Sequence, residues 1–222
     1  MIGNPVDYNK EYIDNSPLWG KSILDNDIKR YLKLLNGKVV LDLGIGEGQN
    51  SIILSELGYN VTGVDYSKKA LDICKSKSQN IKLIENDIRN FYIEPNKYDL
   101  IISRFVLHFL HKSDIYTIIK NIKINIKPNG LVYISVFSIN DPSYEIKYNS
   151  PDFDNLENSI FRKKSDNTYS SYFSKNELLE LFYDFNTILI SDVYNMDLGH
   201  GNPHYHGFIK YIGQKKFTNI EW

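Results

Sequence analysis

The fold class of this chain is decided by the sequence VVLDLGIGEG at positions 39–48. Its first five residues are apolar or β-branched apart from Asp42, and glycines bound them, which is typical of a short buried strand. The glycines that follow have the spacing G-x-G-x-G, and such a turn lets the backbone pass close to a ligand. A dinucleotide-binding loop would need its third glycine at position 49, which is Gln49. A plain tight turn is the alternative interpretation.

Strands and helices alternate on both sides of this loop. Helices are predicted over residues 22–35, 49–57, 67–75 and 113–127, with Ser67 and Ser113 as N-caps, and strands over residues 39–43, 60–64, 81–84, 99–103 and 131–137. Strands that alternate with helices predict an α/β fold, with a doubly wound, mostly parallel sheet and helices on both faces.

The alternation stops between residues 138 and 172, where aromatic residues are scattered without a sustained period. A loop of this length in a compact domain usually serves a site. Ser174 and Glu177 form the sequence pattern of a capping box, which predicts a helix from that point. Strands predicted over 187–194 and 206–212 suggest an antiparallel hairpin at one edge of the sheet.

These segments predict a single domain over residues 1–222. It is divided into an N-terminal lid and helix (1–36), a cofactor-binding core (37–137), a substrate-side insertion (138–173), and a C-terminal helix with the edge hairpin (174–222).

Composition excludes several classes of protein. Hydrophobic residues make up 42% of the 222 residues and charged residues 24%, which is ordinary globular usage. A net charge of -1 offers no strong positive field for a nucleic acid, and the lysines near 120–127 are predicted to be a solvated helix face. One cysteine, Cys74, excludes an internal disulfide and a cysteine-based zinc site, and its helical position predicts a core residue. The N-terminus lacks the pattern of a signal peptide and the apolar runs are too short for a membrane helix, so we expect no membrane association and a cytoplasmic location.

Carboxylates follow three successive predicted strands. Asp42 lies in the first strand, Asp65 ends the second, and Asp87 follows the third. Asp65 lies close to the offset of about 20 residues that is expected for a carboxylate on ribose hydroxyls, and Asp87 suits an exocyclic amine of adenine. Each of the latter two alone could be a helix cap or a turn residue. Together they favour a nucleotide-like ligand at the carboxyl ends of the strands.

These residues resemble the motif series of class I S-adenosylmethionine-dependent methyltransferases. The resemblance is carried by residues 40–48, Val64-Asp65, Asn86-Asp87-Ile88, residues 98–101 and residues 127–130, and it covers roughly positions 23–137. It implies a Rossmann-like sheet of seven strands whose last strand is antiparallel. It also implies that Gly44 and Gly46 approach the methionine moiety, that Asp65 holds the ribose, and that Asp87 with Ile88 frames the adenine. The family often has Cys, Ser or Thr where Ile45 stands here. The expected set of cofactor-binding residues is Tyr12, Trp19, Asp42, Gly44, Gly46, Gly48, Asn50, Asp65, Tyr66, Asp87, Ile88 and Ser103.

A narrower match resembles the tellurite-resistance methyltransferase branch, which methylates small, soft oxyanions or chalcogen species. It is carried by Tyr12, Pro17-Leu18-Trp19-Gly20, residues 103–110, Phe173, Glu177-Leu178 and Asp197-Leu198-Gly199-His200. That branch usually has arginine after the late histidine, whereas this chain has Gly201.

Methyl transfer from a sulfonium needs alignment of the reacting atoms, and it needs a base only if the acceptor arrives protonated. The candidate catalytic residues are His200 near the methyl group, His108 after the fourth strand, and Arg104 for an anionic acceptor. Helix-start, surface-pair and hairpin-turn roles are the alternatives for these residues. His204 and His206 would share a strand face, which leaves a metal site as an alternative, although we assign no metal.

The leading hypothesis is therefore S-adenosylmethionine-dependent methylation of a small molecule: a soft anion, a thiol or a chalcogen species. A larger metabolite hydroxyl or amine, recognised by the aromatic segment 138–172, is the first alternative. A non-catalytic S-adenosylmethionine-binding module is the second. A nicotinamide-dependent oxidoreductase is disfavoured by the glycine spacing.

Overall fold

Strands and helices alternate along most of the chain up to residue 137. The computed structural model describes residues 22, 24–157, 159–197 and 203–216. Within them the strands are β1 (Val39–Leu43), β2 (Asn60–Asp65), β3 (Lys82–Glu85), β4 (Leu100–Arg104), β5 (Leu131–Phe137), β6 (Phe153–Leu156), β7 (Ile160–Lys163), β8 (Tyr169–Ser171), β9 (Phe185–Asp197) and β10 (His204–Lys215). The helices are α1 (Asn26–Tyr31), α2 (Ser51–Glu56), α3 (Lys68–Lys77), α4 (Lys112–Asn125), α5 (Pro142–Asn149) and α6 (Lys175–Leu181), with 3-10 turns at Leu32–Leu34 and Leu107–Phe109.

Seven strands form the main sheet in the order β3-β2-β1-β4-β5-β10-β9. The first five strands are parallel, and β10 runs antiparallel to both β5 and β9. The prediction of a mostly parallel, seven-stranded sheet with an antiparallel last strand is therefore confirmed. The hairpin is longer than predicted, and β10 inserts between β5 and β9.

Apolar side chains cover both faces of the sheet. Leu41 and Leu43 lie in one buried cluster with Ile118 of α4, whereas Val40 lies in a second cluster with Ile28 of α1. Because successive strand residues point to opposite faces, one short apolar strand contributes to both layers. Cys74 is fully buried in the second cluster, which confirms its predicted place in the core.

Three predicted helix starts differ in the structure. Helix α1 begins at Asn26 rather than residue 22, because the Asp25 side chain accepts from the Asp27 backbone N–H. Helix α2 begins at Ser51 rather than residue 49. Helix α4 is capped by His111 and not by Ser113, since His111 Nδ1 accepts from the Ser113 backbone N–H at 3.2 Å.

Two predicted caps have the expected geometry. Ser67 Oγ accepts from the Ala70 backbone N–H, and Ser174 Oγ accepts from that of Glu177. The Glu177 carboxylate does not complete the box, because it bonds Lys112 Nζ at 2.8 Å and the Tyr116 hydroxyl at 3.0 Å. The second half of that capping box is therefore replaced by an ion pair to α4.

The segment 138–173 is folded, although no period was found in its sequence. It contains α5 and a small antiparallel sheet of order β6-β7-β8. Its two ends meet where Phe173 N–H donates to the Phe137 carbonyl and Ile139 N–H donates to the Phe173 carbonyl. Ser171 Oγ donates to the Leu110 carbonyl at 2.7 Å, and this hydrogen bond joins β8 to the turn after β4. The insertion therefore lies beside the carboxyl ends of β4 and β5.

None of the helices in the described part of the chain is long and apolar enough to cross a membrane.

Candidate active site

The glycine loop after β1 is held by its neighbours. The backbone N–H groups of Gly44 and Ile45 both donate to the Val64 carbonyl, at 2.7 and 3.1 Å. Gly44 has φ of +78°, and a Cβ on it would lie 2.2 Å from a methyl carbon of Val106. Only glycine therefore fits at position 44, where the loop meets the turn after β4.

The last part of the loop packs on helix α3. Gly48 has φ of +84°, and a Cβ on it would lie 2.6 Å from Cys74 Sγ. The carboxylate of Glu47, whose side chain is buried, accepts from Lys77 Nζ at 2.5 Å. Residues 47 and 48 therefore hold the loop against helix α3.

Asp65 joins the loop to the end of β2. Its Oδ2 accepts from the Gly46 backbone N–H at 2.9 Å, and its Oδ1 accepts from the Ser67 backbone N–H at 2.9 Å. Burial raises the pKa of Asp65 above its usual range, and these backbone hydrogen bonds oppose the shift. The Tyr66 backbone N–H is a third donor to this carboxylate. A carboxylate has about four lone-pair sites, so Asp65 retains the capacity to accept from one more donor, such as a hydroxyl.

Asp42 is buried beneath the loop, with 5% of its surface exposed. Ser51 Oγ donates to its Oδ2 at 2.6 Å. Burial raises the pKa of Asp42 to about 6; the Ser51 bond opposes this, the Asp65 charge adds to it, and the Arg104 charge opposes it. Neighbouring Asn50 uses its Oδ1 to accept from the Asp25 backbone N–H at 2.8 Å. Asn50 therefore connects the loop to the start of α1.

Asp87 already has a cationic partner. Its carboxylate accepts from the Arg89 backbone N–H at 2.9 Å and from Arg89 Nη2 at 2.5 Å. Burial alone would raise the pKa of Asp87, but the Arg89 hydrogen bonds and charge outweigh it and hold the pKa below its usual range. Ile88 is partly buried against the core, and Tyr66, directly after Asp65, is half-buried. Arg89 had not been singled out in the sequence.

The end of β4 carries polar groups without hydrogen-bond partners. Within the described residues, Ser103 Oγ, Arg104 Nε and both ring nitrogens of His108 are buried and unpartnered. The Arg104 guanidinium lies 4.9 Å from the centre of the Phe105 ring. Buried polar atoms are normally hydrogen-bonded, so a cluster of exceptions indicates a place where a ligand supplies the missing partners.

His108 is a neutral imidazole. It is fully buried, and its ring lies 3.8 Å from that of Phe137 and 4.1 Å from that of Phe109, centre to centre. Burial lowers the pKa of His108 to about 3, with the Lys147 charge adding to the shift. At neutral pH one nitrogen is therefore able to donate a hydrogen bond and the other to accept one.

A hydrogen-bond network lies on the other side of Phe137. His206 Nδ1 is 3.1 Å from Asp141 Oδ2, and His206 Nε2 is 2.8 Å from His204 Nε2. The Gly207 backbone N–H also donates to Asp141 Oδ2, at 2.8 Å. The two histidines lie on one face of β10 and bond each other. The described residues contain no group of three side chains suited to a metal ion.

The same network reaches a half-buried lysine. Lys147 Nζ donates to the Tyr172 hydroxyl at 2.7 Å, the Tyr172 and Ser143 oxygens are 2.6 Å apart, and Ser143 Oγ donates to Asp141 Oδ1. Burial lowers the pKa of Lys147 to about 8, and the Asp141 charge opposes this.

The structure brings most of the expected site residues to one edge of the sheet, at the carboxyl ends of β1, β2 and β4. Tyr12, Trp19 and His200 lie outside the described residues. Sequence reasoning missed Asp141, Lys147 and Tyr172. Asp141 followed by Pro142 is an N-cap with proline at the first helical position, so this pair could have predicted α5.

Comparisons with known proteins agree with this geometry. Residues 40–130 match the family model described as "Methyltransferase domain". The chain is 34% identical over 112 residues to "Probable S-adenosyl-L-methionine-dependent methyltransferase TehB" of Haemophilus influenzae, a match that covers 49% of this chain and 39% of the relative. It is 34% identical over 114 residues to the ubiquinone biosynthesis O-methyltransferase of Coxiella burnetii, covering 50% of this chain and 48% of the relative. The matches thus span less than half the length of these curated relatives.

The fold has solved counterparts. The crystal structure of TehB from Haemophilus influenzae superimposes with a TM-score of 0.68 at 26% identity, covering 94% of this chain and 67% of that one. A Burkholderia thailandensis methyltransferase solved with S-adenosylhomocysteine shares the fold alone, at 18% identity and a TM-score of 0.64, covering 95% of this chain and 86% of that one. With its glycine loop, its strand-end carboxylates and this topology, the chain is similar over residues 40–130 to class I S-adenosylmethionine-dependent methyltransferase domains, whose cofactor is S-adenosylmethionine.

Proposed function

We propose that this domain transfers a methyl group from S-adenosylmethionine to a small-molecule acceptor: a soft anion, a thiol or a chalcogen species. One observation carries the proposal. The bond from the Gly46 backbone N–H to Asp65 Oδ2 fixes a glycine loop and a carboxylate at one edge of the sheet. Ser103 and Arg104 at the end of β4, the neighbour of β1, and His108 after it carry buried polar atoms that have no hydrogen-bond partner among the described residues.

The residues present fit the cofactor. Asp65 keeps a lone pair for a ribose hydroxyl, and the buried hydroxyl of Ser103, which has no hydrogen-bond partner among the described residues, offers a further polar contact. The left-handed conformations of Gly44 and Gly46 keep the loop free of side chains. When bound, S-adenosylmethionine supplies a methyl group on a positively charged sulfur. Tyr12 and Trp19, which lie outside the described residues, are proposed from the sequence as cofactor-binding residues that close over the cofactor.

The role proposed for Asp87 depends on Arg89. Because Arg89 and its backbone N–H occupy part of the carboxylate, Asp87 accepts from an adenine amine only with its remaining lone pairs. Ile88, which packs against the core, supplies the apolar side of the same subsite. We expect this pair to contribute less to affinity than Asp65.

On the acceptor side, the residues align the acceptor and exclude water, because an in-line displacement depends on alignment. Neutral His108 orients the acceptor by hydrogen bonding, and Arg104 provides positive charge for an anion. His200 remains a third candidate from the sequence. These roles need no nucleophilic side chain on the protein.

A larger acceptor is the second candidate, and one observation favours it. The insertion contains a cluster of aromatic rings, in which Tyr144, Phe161 and Tyr172 meet edge to face at centre distances of 5.2 to 5.7 Å. Phe161 and Tyr172 are fully buried, and the half-buried ring of Tyr144 offers a surface for stacking of a flat acceptor ring. The Coxiella relative is named an O-methyltransferase, which agrees with an acceptor hydroxyl.

Two measurements test the proposed function. Isothermal titration should show binding of S-adenosylmethionine and S-adenosylhomocysteine and none of NAD. Incubation with S-adenosylmethionine and separate candidate acceptors should release S-adenosylhomocysteine. Binding of NAD without S-adenosylhomocysteine would contradict the cofactor assignment. Binding without turnover over a broad acceptor panel would indicate the non-catalytic alternative.

A further inference from the structure

We propose that Arg104 binds the carboxylate of an aromatic acceptor, and that Phe105 is the positioning residue that holds the Arg104 guanidinium in place. The acceptor is then a flat ring that carries a carboxylate besides the atom that receives the methyl group. This inference rests on the proposed function and deepens it by naming the class of the acceptor and a residue that selects it.

The positive charge of Arg104 is not neutralised within the part of the chain that the structure describes. Its side chain is half-buried, and no carboxylate of the described residues lies within ion-pair distance of the guanidinium. Burial raises the pKa of Asp42 to about 6 although the Arg104 charge opposes the shift, so these two groups do not neutralise each other. A half-buried cation without a counter-ion in the protein is suited to an anionic ligand.

The ring of Phe105 fixes the position of the guanidinium. Arg104 Cζ lies over this ring at 4.9 Å from its centre, which is the geometry of a cation–π contact. The Phe105 ring in turn meets Phe208 edge to face at 5.0 Å and lies 6.4 Å from the ring of Phe137, centre to centre. A ring contact leaves the N–H donors of the guanidinium available, and these donors match the two oxygens of a carboxylate.

Phe105 has an uncommon backbone conformation. Its φ is +56°, in the left-handed region that a bulky side chain rarely adopts. The Phe105 backbone N–H donates to the Ser135 carbonyl at 3.0 Å, and the next residue, Val106, packs on Gly44 of the cofactor loop. Conformations of this kind persist where the surrounding structure imposes them, and they cluster at ligand sites. The strained turn therefore places the Phe105 ring beside the proposed reaction centre.

The strand register places a further polar group beside Arg104. Arg104 pairs with Ser135 of β5, and paired residues of adjacent strands point to the same face of the sheet. The Ser135 hydroxyl is fully buried and has no hydrogen-bond partner among the residues described. Phe137, two residues further along β5, and Phe208, which pairs with it, share that face. A guanidinium, a hydroxyl and apolar rings on one face suit an aromatic carboxylate.

The distribution of charge separates the acceptor side from the cofactor side. Lys147 is a second half-buried cation that makes no ion pair with a described residue. Its Nζ lies 5.2 Å from the centre of the Tyr172 ring, which stacks on Phe137 at 6.0 Å. The carboxylates of Asp42 and Asp65 instead lie at the glycine loop. A positively charged sulfur suits these carboxylates, whereas an anionic acceptor suits the two cations.

The kinetic test uses the three isomers of mercaptobenzoate and the three matching mercaptobenzamides, which share ring and thiol and differ in the carboxylate. At pH 7.5 the parent should have a KM at least about tenfold lower for its best benzoate than for the matching amide. Arg104→Gln should raise KM for the benzoate about tenfold and leave KM for the amide within about twofold. Arg30→Gln removes the same charge at an exposed position of α1, and this control should match the parent.

Two variants test the role of Phe105. Phe105→Tyr keeps a ring and should keep the preference for the benzoate, whereas Phe105→Leu keeps apolar bulk without a ring and should reduce the preference about threefold or more. A merely structural role would change kcat and KM alike with benzoate and amide. Equal KM values of the parent for the two compounds, or a preference that survives Arg104→Gln, would overturn the subsite. A parental preference in Phe105→Leu would overturn the positioning role.

The methionine part of the cofactor also carries a carboxylate, so cofactor binding is measured separately. The affinities of Arg104→Gln for S-adenosylhomocysteine and for 5′-methylthioadenosine, which lacks the amino-acid part, should both stay within about twofold of the parent values. A loss of affinity for S-adenosylhomocysteine alone would assign Arg104 to the carboxylate of the cofactor and overturn the acceptor subsite.

A last measurement does not depend on turnover. Benzoate and benzamide are titrated into the protein saturated with S-adenosylhomocysteine, and binding is followed by ligand-observed NMR. Benzoate should bind at least about fivefold more tightly than benzamide, and Arg104→Gln should abolish the difference. If S-adenosylhomocysteine does not bind, or if no thiol is methylated, the proposed function fails for these compounds. The benzoate titration, then made with the protein alone, still decides the subsite, and equal binding of the two compounds by the parent overturns it.

Discussion

The backbone N–H of Gly46 donates to Oδ2 of Asp65 at 2.9 Å, across a sequence separation of 19 residues. This bond joins the tip of the loop after β1 to the end of β2. Because the other carboxylate oxygen accepts from the Ser67 backbone N–H, Asp65 is fixed from two sides before any ligand binds. A carboxylate held in this way is preorganised for a hydroxyl of a ribose.

Asp65→Asn tests this arrangement. The amide oxygen can still accept from Gly46, but the charge is lost, so we expect the free energy of binding of S-adenosylhomocysteine to weaken by about 1.5–3 kcal/mol, or roughly 10–150-fold in Kd. Titration calorimetry measures this. Asp72→Asn, at an exposed position on α3, is the control and should not change Kd. Unchanged affinity in Asp65→Asn would mean that this carboxylate serves only to hold the loop.

The contact between Gly44 and Val106 predicts a double-mutant result. Gly44→Ala should lower the free energy of unfolding by about 1–3 kcal/mol, because it adds a Cβ at positive φ and within 2.2 Å of a Val106 methyl carbon. Val106→Ala removes that methyl group, so part of the loss should be recovered in the double variant. Urea denaturation of the four proteins gives the coupling energy. Strictly additive losses would show that the clash is relieved elsewhere.

Much of the sheet is predictable, because short apolar runs bounded by glycine or proline mark its parallel strands. The insertion is not, since strands of three or four residues are too short to show alternation. The sequence predicts Asp65 as a site residue because it ends a predicted strand. The sequence does not predict the contact between Asp141 and His206, since 65 residues separate them and the insertion of β10 beside β5 brings them together.

Cys74 should be unreactive in the folded protein. Burial raises the pKa of this thiol to about 12, with the charge of Asp42 adding to the shift, and only the thiolate is nucleophilic. At pH 8 we expect no alkylation by iodoacetamide in the native state and complete alkylation in urea, as measured by mass spectrometry. Asp72→Cys introduces an exposed thiol on the same helix and serves as the reactive reference. Native labelling of Cys74 at the rate of that reference would show that α3 opens readily.

Removing the negative charge of Asp42 should increase the free energy of unfolding. Burial raises its pKa to about 6, above the ordinary value of about 3.9, so the folded state holds the proton more tightly. The stabilisation from this group is complete below about pH 4 and is lost as pH rises through about 6. Asp42→Asn, which can still accept from Ser51, should raise the free energy of unfolding by about 2–3 kcal/mol at pH 7.5 and by little at pH 4. Urea melts at both pH values decide this; an equal effect at the two would contradict the assigned shift.

The contribution of His108 to folding stability changes with pH in the opposite direction. Burial lowers its pKa to about 3, so the folded state resists a proton that the unfolded chain accepts near pH 6.5. Its stabilising contribution is complete above about pH 6.5 and falls as the pH falls toward 3. His108→Phe keeps a ring beside Phe137 and removes two unpartnered nitrogens, so we expect a gain of about 1–3 kcal/mol at pH 7 that increases at pH 5.

The same variant should lose activity if His108 orients the acceptor. We expect kcat to fall by at least about tenfold while the Kd of S-adenosylhomocysteine changes little, because stability gained by removing unpartnered polar groups at a site is commonly offset by lost function. His111→Asn is the control, since asparagine also caps helices and His111 lies at the start of α4. A more stable His108→Phe protein with parental kcat would show that the unpartnered nitrogens of His108 take no part in methyl transfer.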